Sequence, residues 1–398
     1  TVASTLATEV EIGKDAIIDA AGARLPKLVI TTRGVGWATV TVRNARFENL
    51  DAGIYPGGAL QISRFQIVTI EDSVFLNNRS SGQGGAIFNE GTLVVTRSRF
   101  DGNYSGTGAG GIHSTQYGSL TVLDSTFRGN GVLNPAGPGR QLGQFGAVSA
   151  ENTLDIRGSL FHENESKYAS AVRAAALARI YNSTFANNRT FEATESGAFL
   201  LAAQARIANC TIVGNSGTTS GGMYIYPSSN TEVVNTIIAN NTGASPEIGG
   251  RIYSHGYDLI RDRTGALVEG NVPGTDIYAT DPRLAPLGNY GGPTMSLLLP
   301  PESPALNAGS ACVQTIGGCG DFPHVALAHD QRGAGFARLR GGLVDIGAFE
   351  LGSVVVSNAL DSGAGSLRQA ISDALPGDVI SFDSYFNQPR TIALASTL

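Results

Sequence analysis

Two stretches decide the fold: "LVVTRSRFDGN" at residues 93–103 and "LTVLDSTFRGN" at residues 120–130. They share one pattern: apolar, any, apolar, two of any, small, any, large apolar, two of any, Asn. The matching residues are Leu93, Val95, Ser98, Phe100 and Asn103 in one, and Leu120, Val122, Ser125, Phe127 and Asn130 in the other. Alternating apolar residues mark a half-buried strand, and the return of the whole motif marks a repeat array.

Working outward, the pattern recurs eight times. Upstream, "VTIEDSVFLNN" supplies Val68, Ile70, Ser73, Phe75 and Asn78. The first copy, "VTVRNARFENL", keeps Val40, Val42, Ala45 and Phe47 but has Leu50 in the Asn place. Downstream, Phe161 and Asn164 close "LDIRGSLFHEN", and Phe185 and Asn188 close "ARIYNSTFANN". "ARIANCTIVGN" puts Cys210 in the small position and Ile212 in the large one, ending at Asn215; "TEVVNTIIANN" places Thr236, Ile238 and Asn241. The large apolar residues are spaced by 28, 25, 27, 34, 24, 27 and 26 residues. Each gap holds a second short strand opened by small residues, such as "GGAIFN" from Gly84 and "GGIHS" from Gly110. The 34-residue gap carries an extra loop, "VLNPAGPGRQLGQ", expected to project from one corner.

A coil of about 25 residues cannot bury its apolar face alone, whereas coils stacked at about 4.8 Å bury it continuously. Leucine-rich repeats need a helical half-coil, and propeller blades run nearer 40 residues. A parallel β-helix remains. Its expected core stack is Phe47, Phe75, Phe100, Phe127, Phe161, Phe185, Ile212 and Ile238. Asn78, Asn103, Asn130, Asn164, Asn188, Asn215 and Asn241 are expected to form a hydrogen-bonded ladder at a turn. The reason is that Asn tolerates left-handed backbone and stacked amides pair. Four of them head Asn-x-Ser/Thr sequons, read here as turn chemistry rather than glycan acceptors. Cys210 reads as a buried free thiol.

Composition agrees. Gly is 52 of 398 residues, 42% of the chain is hydrophobic and only 15% charged, which points to many turns around a large core rather than to disorder. The net charge of −6 and the absence of a basic block exclude nucleic acid as an expected partner. No apolar run reaches the length of a membrane span. No cofactor motif is present. Cys312 and Cys319 lie in a Gly-rich loop and are a candidate disulfide pair.

Past residue 253 the repeat fades into a recognisable pattern. It comprises Asp281-Pro282, Leu284, Pro286-Leu287, Asn289, Gly291-Gly292-Pro293-Thr294 and Ser303-Pro304-Ala305. It continues with Asp330-Gln331-Arg332-Gly333 and Val344-Asp345-Ile346-Gly347-Ala348-Phe349-Glu350. This resembles the closing region of choice-of-anchor Q proteins, bacterial surface proteins of the pectin-lyase-like right-handed β-helix group. The resemblance implies a right-handed, all-β parallel β-helix at a bacterial surface or outside the cell, and it implies no established chemistry.

The last segment, "VVVSNALDSGAGSLRQAISDALPGDVISFD", resembles the cap that precedes the first coil in that family. Ser366 and Gln369 form a capping-box pair, and Leu367, Ile371 and Leu375 mark an apolar helix face. Such a short amphipathic helix can lie across the open end of a β-helix and hide its unpaired edge. The cap's continuation is matched by residues 11–23, and "TVASTL" at the start echoes "TIALASTL" at the end. The chain therefore reads as a permuted member. Its expected parts are 1–39 (entry strands), 40–252 (coils), 253–352 (irregular β-helix) and 353–398 (a joint to the next unit). The joint residues are Ser366, Leu367, Gln369, Ile371, Leu375, Ile380, Ile392 and Leu394.

Three functions were weighed. The leading expectation is a structural unit of an extracellular head-to-tail fibre or stalk, its partners being copies of itself. A polysaccharide lyase or hydrolase rests on fold analogy alone, because Asp72, Asp124 and Asp155, and His113, His162 and His255, fall on no common pattern position. An adhesin module binding surface glycans would need an aromatic face, and Tyr104, Tyr117, Tyr224 and Tyr226 share no position.

Overall fold

A computed structural model describes residues 9–32, 36–133, 140–191, 197–270 and 272–398. The chain winds into a parallel β-solenoid with three parallel sheets. The first sheet includes Leu60–Ile62, Ile87–Asn89 and Ile112–Ser114; the second includes Ile67–Glu71, Thr92–Thr96 and Ser119–Leu123. The third has ten strands, among them Val74–Leu76, Arg99–Asp101 and Thr126–Arg128. Register follows the motif. Leu93 pairs with Val68 and Leu120, Val95 with Ile70 and Val122, and Phe100 with Phe75 and Phe127. Equivalent apolar side chains thus stack inside one bore.

The phenylalanines form a continuous column. Ring centroids from Phe47 through Phe75, Phe100, Phe127, Phe161 to Phe185 are 4.8, 4.5, 4.5, 4.6 and 4.9 Å apart. Ile212 and Ile238 continue it in register, fully buried. The rung spacing of a parallel sheet imposes that distance on the rings.

The asparagines form a buried ladder. Nδ2 of Asn78 donates to Oδ1 of Asn103 at 3.0 Å, and so on through Asn130, Asn164, Asn188, Asn215 and Asn241 at 2.8–2.9 Å. The left-handed residue is not the ladder Asn but the one before it: Asn49, Asn77, Gly102, Gly129, Glu163, Asn187, Gly214 and Asn240 have φ between 52° and 66°. That twist turns the next side chain inward, where the amide meets its neighbours rather than water.

A second ladder runs through the small position. The backbone N–H groups of Ser73, Ser98, Ser125 and Ser159 donate to the hydroxyls of Ser98, Ser125, Ser159 and Ser183 at 3.0–3.1 Å. Cys210 occupies the same place, free and buried, its thiol donating to carbonyls of Ile180 and Ala208. Burial pushes this thiol up to about 12, so it is inert. Both ladders end on carboxyl groups. Glu247 accepts from Nδ2 of Asn241, and Asp258 accepts from the backbone N–H of Thr236 at 2.9 Å. A last rung has no further acceptor beyond it, and a carboxyl group fills that need.

Coils continue past residue 252 through Ala266–Gly270 and Ile277–Tyr278. Residues 279–352 then fold back over the outside instead of extending the β-helix. The cause lies in outward positions of the later coils. Arg99, Asp101 and Arg128 give way to Ala186, Val213, Ile237 and Ala239, which pack against Leu297, Leu299, Ala305, Ile346 and Phe349. On the second sheet, Tyr181, Ala208 and Val234 pack against Val313, Phe322 and Leu327. Asn182 and Asn235, at left-handed turns, pin this strap through His329 O and Ser310 O, both at 2.8 Å.

The C-terminal segment is a βαβ unit: Ser353–Val356, α1 (Leu367–Asp373) and Val379–Phe382, the strands parallel. Residues 1–6 and the tip of the inserted loop at 134–139 lie outside the described residues. Val132–Leu133 and Gln141–Leu142 form an antiparallel pair at the loop's base.

Candidate functional site

Each end of the solenoid is a candidate site. At the N-terminal end, Glu9–Ile12 and Ala16–Asp19 pair on one side only among the described residues. Beside them opens a cavity of about 640 Å³ lined by Val10, Ile12, Ala16, Ile18, Leu25 and Leu28. This is the bore itself, and no described residue lies across its apolar lining.

The C-terminal unit does not lie across its own solenoid's end. It docks on the strap: Arg340 pairs with Asp378 at 2.5 Å, Nη1 of Arg332 donates to Pro376 O at 2.8 Å, and Val379 joins the cluster around Phe349. The Ser366 hydroxyl accepts from the N–H of Gln369 at 3.2 Å, but the Gln369 side chain turns away to Asp373, so only half of the capping box forms. Ile371 is exposed, Leu367 and Leu375 are half-buried, and only Ala370 of the helix is buried. Ile380 and Ile392 are half-buried and Leu394 is exposed. The last residues return to the helix, where Arg368 donates to carbonyls of Ser396 and Thr397 at 3.0 and 2.7 Å.

The strap holds the densest set of buried charges. Arg332 donates to Asp330 at 2.9 and 2.6 Å, and Arg338 donates to Gly347 O at 2.9 Å and Ala348 O at 3.0 Å. Burial pushes Glu350 up to about 8 and Asp345 up to about 6. Every one of these groups faces protein rather than a cleft, so the network locks the strap down. Cys312 and Cys319 are disulfide-bonded and close the loop that covers His255, whose ring lies 4.9 Å from that of Phe322.

Two of the three carboxylates named for catalysis are engaged by arginines, and burial raises the third, Asp124. Arg97 donates twice to Asp72 at 2.8 Å, and Asp155 pairs with Arg157. The ring of His113 is buried against Phe88, neither nitrogen has a hydrogen-bond partner although Nε2 lies 4.0 Å from Glu151, and burial lowers it to about 4, so it stays neutral. No group of three or more metal-ligating side chains occurs among the described residues. A cavity of about 550 Å³ lined by Glu247, Asp262, Arg261, Arg263 and Tyr278 does hold two carboxyls shifted apart. Burial raises Glu247 to about 7, and a backbone hydrogen bond from Thr264 lowers Asp262.

One surface feature escaped sequence reading. The corner between the first and second sheets carries Trp37, Phe65 and Tyr117, all exposed. Each stands two residues before the registered positions Thr39, Ile67 and Ser119. The segments before these positions, 31–38, 63–66, 90–91 and 115–118, differ in length, which hides the column in the sequence.

Comparison with known proteins agrees with this architecture. The central coils are similar to the right handed beta helix region family, over residues 110–256. A Dictyostelium discoideum metabotropic glutamate receptor-like protein R is 27% identical over 214 residues, 53% of this chain. The match spans only 12% of that relative's length. No solved structure matches the chain significantly.

Proposed function

We propose that the chain is a structural unit of an extracellular or cell-surface fibre, joined to further copies head to tail. The observation that supports this is a pair of apolar surfaces, one towards each end of the described residues. One is the apolar mouth at Val10, Ile12 and Ile18, whose strands pair on one side only among the described residues; the other is a βαβ unit that leaves Val355, Leu360, Ile371 and Phe382 exposed. Among the described residues Val379–Phe382 pairs with Ser353–Val356 alone, which leaves one of its edges without a strand. Seating the unit of one copy on the mouth of the next would cover both apolar surfaces, and a contact of this heterologous kind extends without closing.

The resemblance to choice-of-anchor Q proteins supports a bacterial surface setting. The disulfide supports an oxidising compartment. The receptor-like name of the Dictyostelium relative fits a surface scaffold. Surface glycans are a second partner class.

Polysaccharide cleavage is the second reading, favoured by Glu247 and Asp262, since carboxyls shifted apart are the pattern of an acid and a base. The structural role of Glu247 at the end of the asparagine ladder explains the same burial without catalysis, and the fibre reading is preferred. Double substitution Val10→Asp and Ile18→Asp tests it: assembly measured by light scattering should fall away while the monomer stays folded. Unchanged assembly would remove the mouth from the account.

A further inference from the structure

We infer that the corner carrying Trp37, Phe65 and Tyr117 is a binding ridge for an uncharged polysaccharide strand. This inference stands apart from head-to-tail assembly.

The ridge is exposed and its backbone is held. Trp37, the chain's one tryptophan, is 80% exposed, and Phe65 is 72% exposed. Gln66 is buried and its side chain grips the backbone on both sides of Trp37: Oε1 accepts from the N–H of Ala38 at 2.8 Å, and Nε2 donates to Gly36 O at 3.3 Å. Phe65 has φ of 67°, a conformation that a bulky L residue adopts at a cost. A glycine would fill that turn without strain. The guanidinium of Arg64 sits 3.3 Å over the ring of Tyr117 and 3.5 Å from Glu90. Holding the backbone beneath exposed rings does nothing for the core. It does lower the entropy cost of binding.

Chemistry selects the ligand. Trp37 and Tyr117 lie three rungs apart, about 14 Å along the axis at strand spacing. Phe65 stands on the rung after Trp37, and on the rung between Phe65 and Tyr117 the position is taken by Glu90. Separate flat rings with hydrogen-bonding groups between them suit the C–H faces and rim hydroxyls of successive sugar rings. Arg64 is balanced by Glu90, so the ridge offers no net charge to a uronate. A membrane surface calls for clustered Lys and Arg, whereas the whole chain is at −6. A protein partner calls for a continuous apolar core with a polar rim, whereas these rings are interrupted by Glu90 and flanked by Thr39, Thr92 and Ser119.

Trp37 is its own reporter. Intact protein is titrated with hexasaccharides of β-linked glucose, N-acetylglucosamine and xylose, following tryptophan emission, and is screened in parallel on a glycan array. At least one neutral glycan should shift the emission saturably. Phe65→Gly should weaken that binding at least tenfold while keeping or raising the unfolding midpoint, and Trp37→Ala should abolish the array signal. Tyr224→Ala, on another face, should leave it unchanged. No binding to any neutral glycan, or equal binding by Phe65→Gly and wild type, would overturn the inference. So would an emission shift produced instead by phospholipid vesicles or by raising the protein's own concentration.

Discussion

Replacing Asn164 by Ala tests the buried ladder. Oδ1 of Asn164 accepts from the backbone N–H of Asn130 and from its Nδ2, both at 2.9 Å. Nδ2 of Asn164 donates to Phe127 O at 3.0 Å and to Oδ1 of Asn188 at 2.8 Å. Truncation leaves the backbone N–H of Asn130 and one of its two Nδ2 hydrogens buried without acceptors, the other still held by Phe100 O, and each loss costs roughly 1–3 kcal/mol. The expected destabilisation is therefore about 2–6 kcal/mol, with Phe127 O adding to it. Solenoid stability is largely a sum of nearest-neighbour terms, so the loss should centre on adjoining coils. Denaturant titration gives the magnitude, and amide hydrogen exchange at Asn130 gives the place. Asn164→Asp should be as damaging: it keeps the acceptors but sets a carboxylate against Oδ1 of Asn188. A loss below about 1 kcal/mol for Asn164→Ala, with Asn130 still protected, would refute the reasoning.

The aromatic column should be as sensitive: Phe127→Ala leaves a void between two stacked rings and is expected to cost about 3–5 kcal/mol by denaturant titration. Stability should also fall as pH rises from about 4 to 8. Burial holds Asp345, Glu247 and Glu350 at about 6, 7 and 8, above their unfolded values, so the native state keeps protons the unfolded state has lost. The urea midpoint, measured at intervals across that range, should decline, and a rising midpoint would contradict it. Reducing Cys312–Cys319, which closes a loop with a separation of seven residues, should cost about 2–3 kcal/mol in the strap. New protease cleavage within 310–328 would report it.

The coils were legible because Phe and Asn recur in one register that the backbone repeats. The strap was not. Ala186, Val213 and Ala239 reveal an apolar outer face only after the inward positions of each coil are known. The serine ladder was visible as a small position, but its hydrogen bonds depend on left-handed turns at Asp72, Arg97 and Asp124, residue types with no common signature. The helix of residues 367–373 was legible as a helix. Its docking on the strap was not, because that contact rests on Arg332 and Arg340, far away in the chain. The aromatic corner escaped because segments of different length put equivalent residues out of step.

Electron microscopy of the purified protein across a concentration series tests the central claim most directly. The account predicts rods that lengthen with concentration by whole solenoid units and shorten in Val10→Asp/Ile18→Asp. Single solenoids at every concentration, with the C-terminal unit exchanging its amide hydrogens freely, would contradict it.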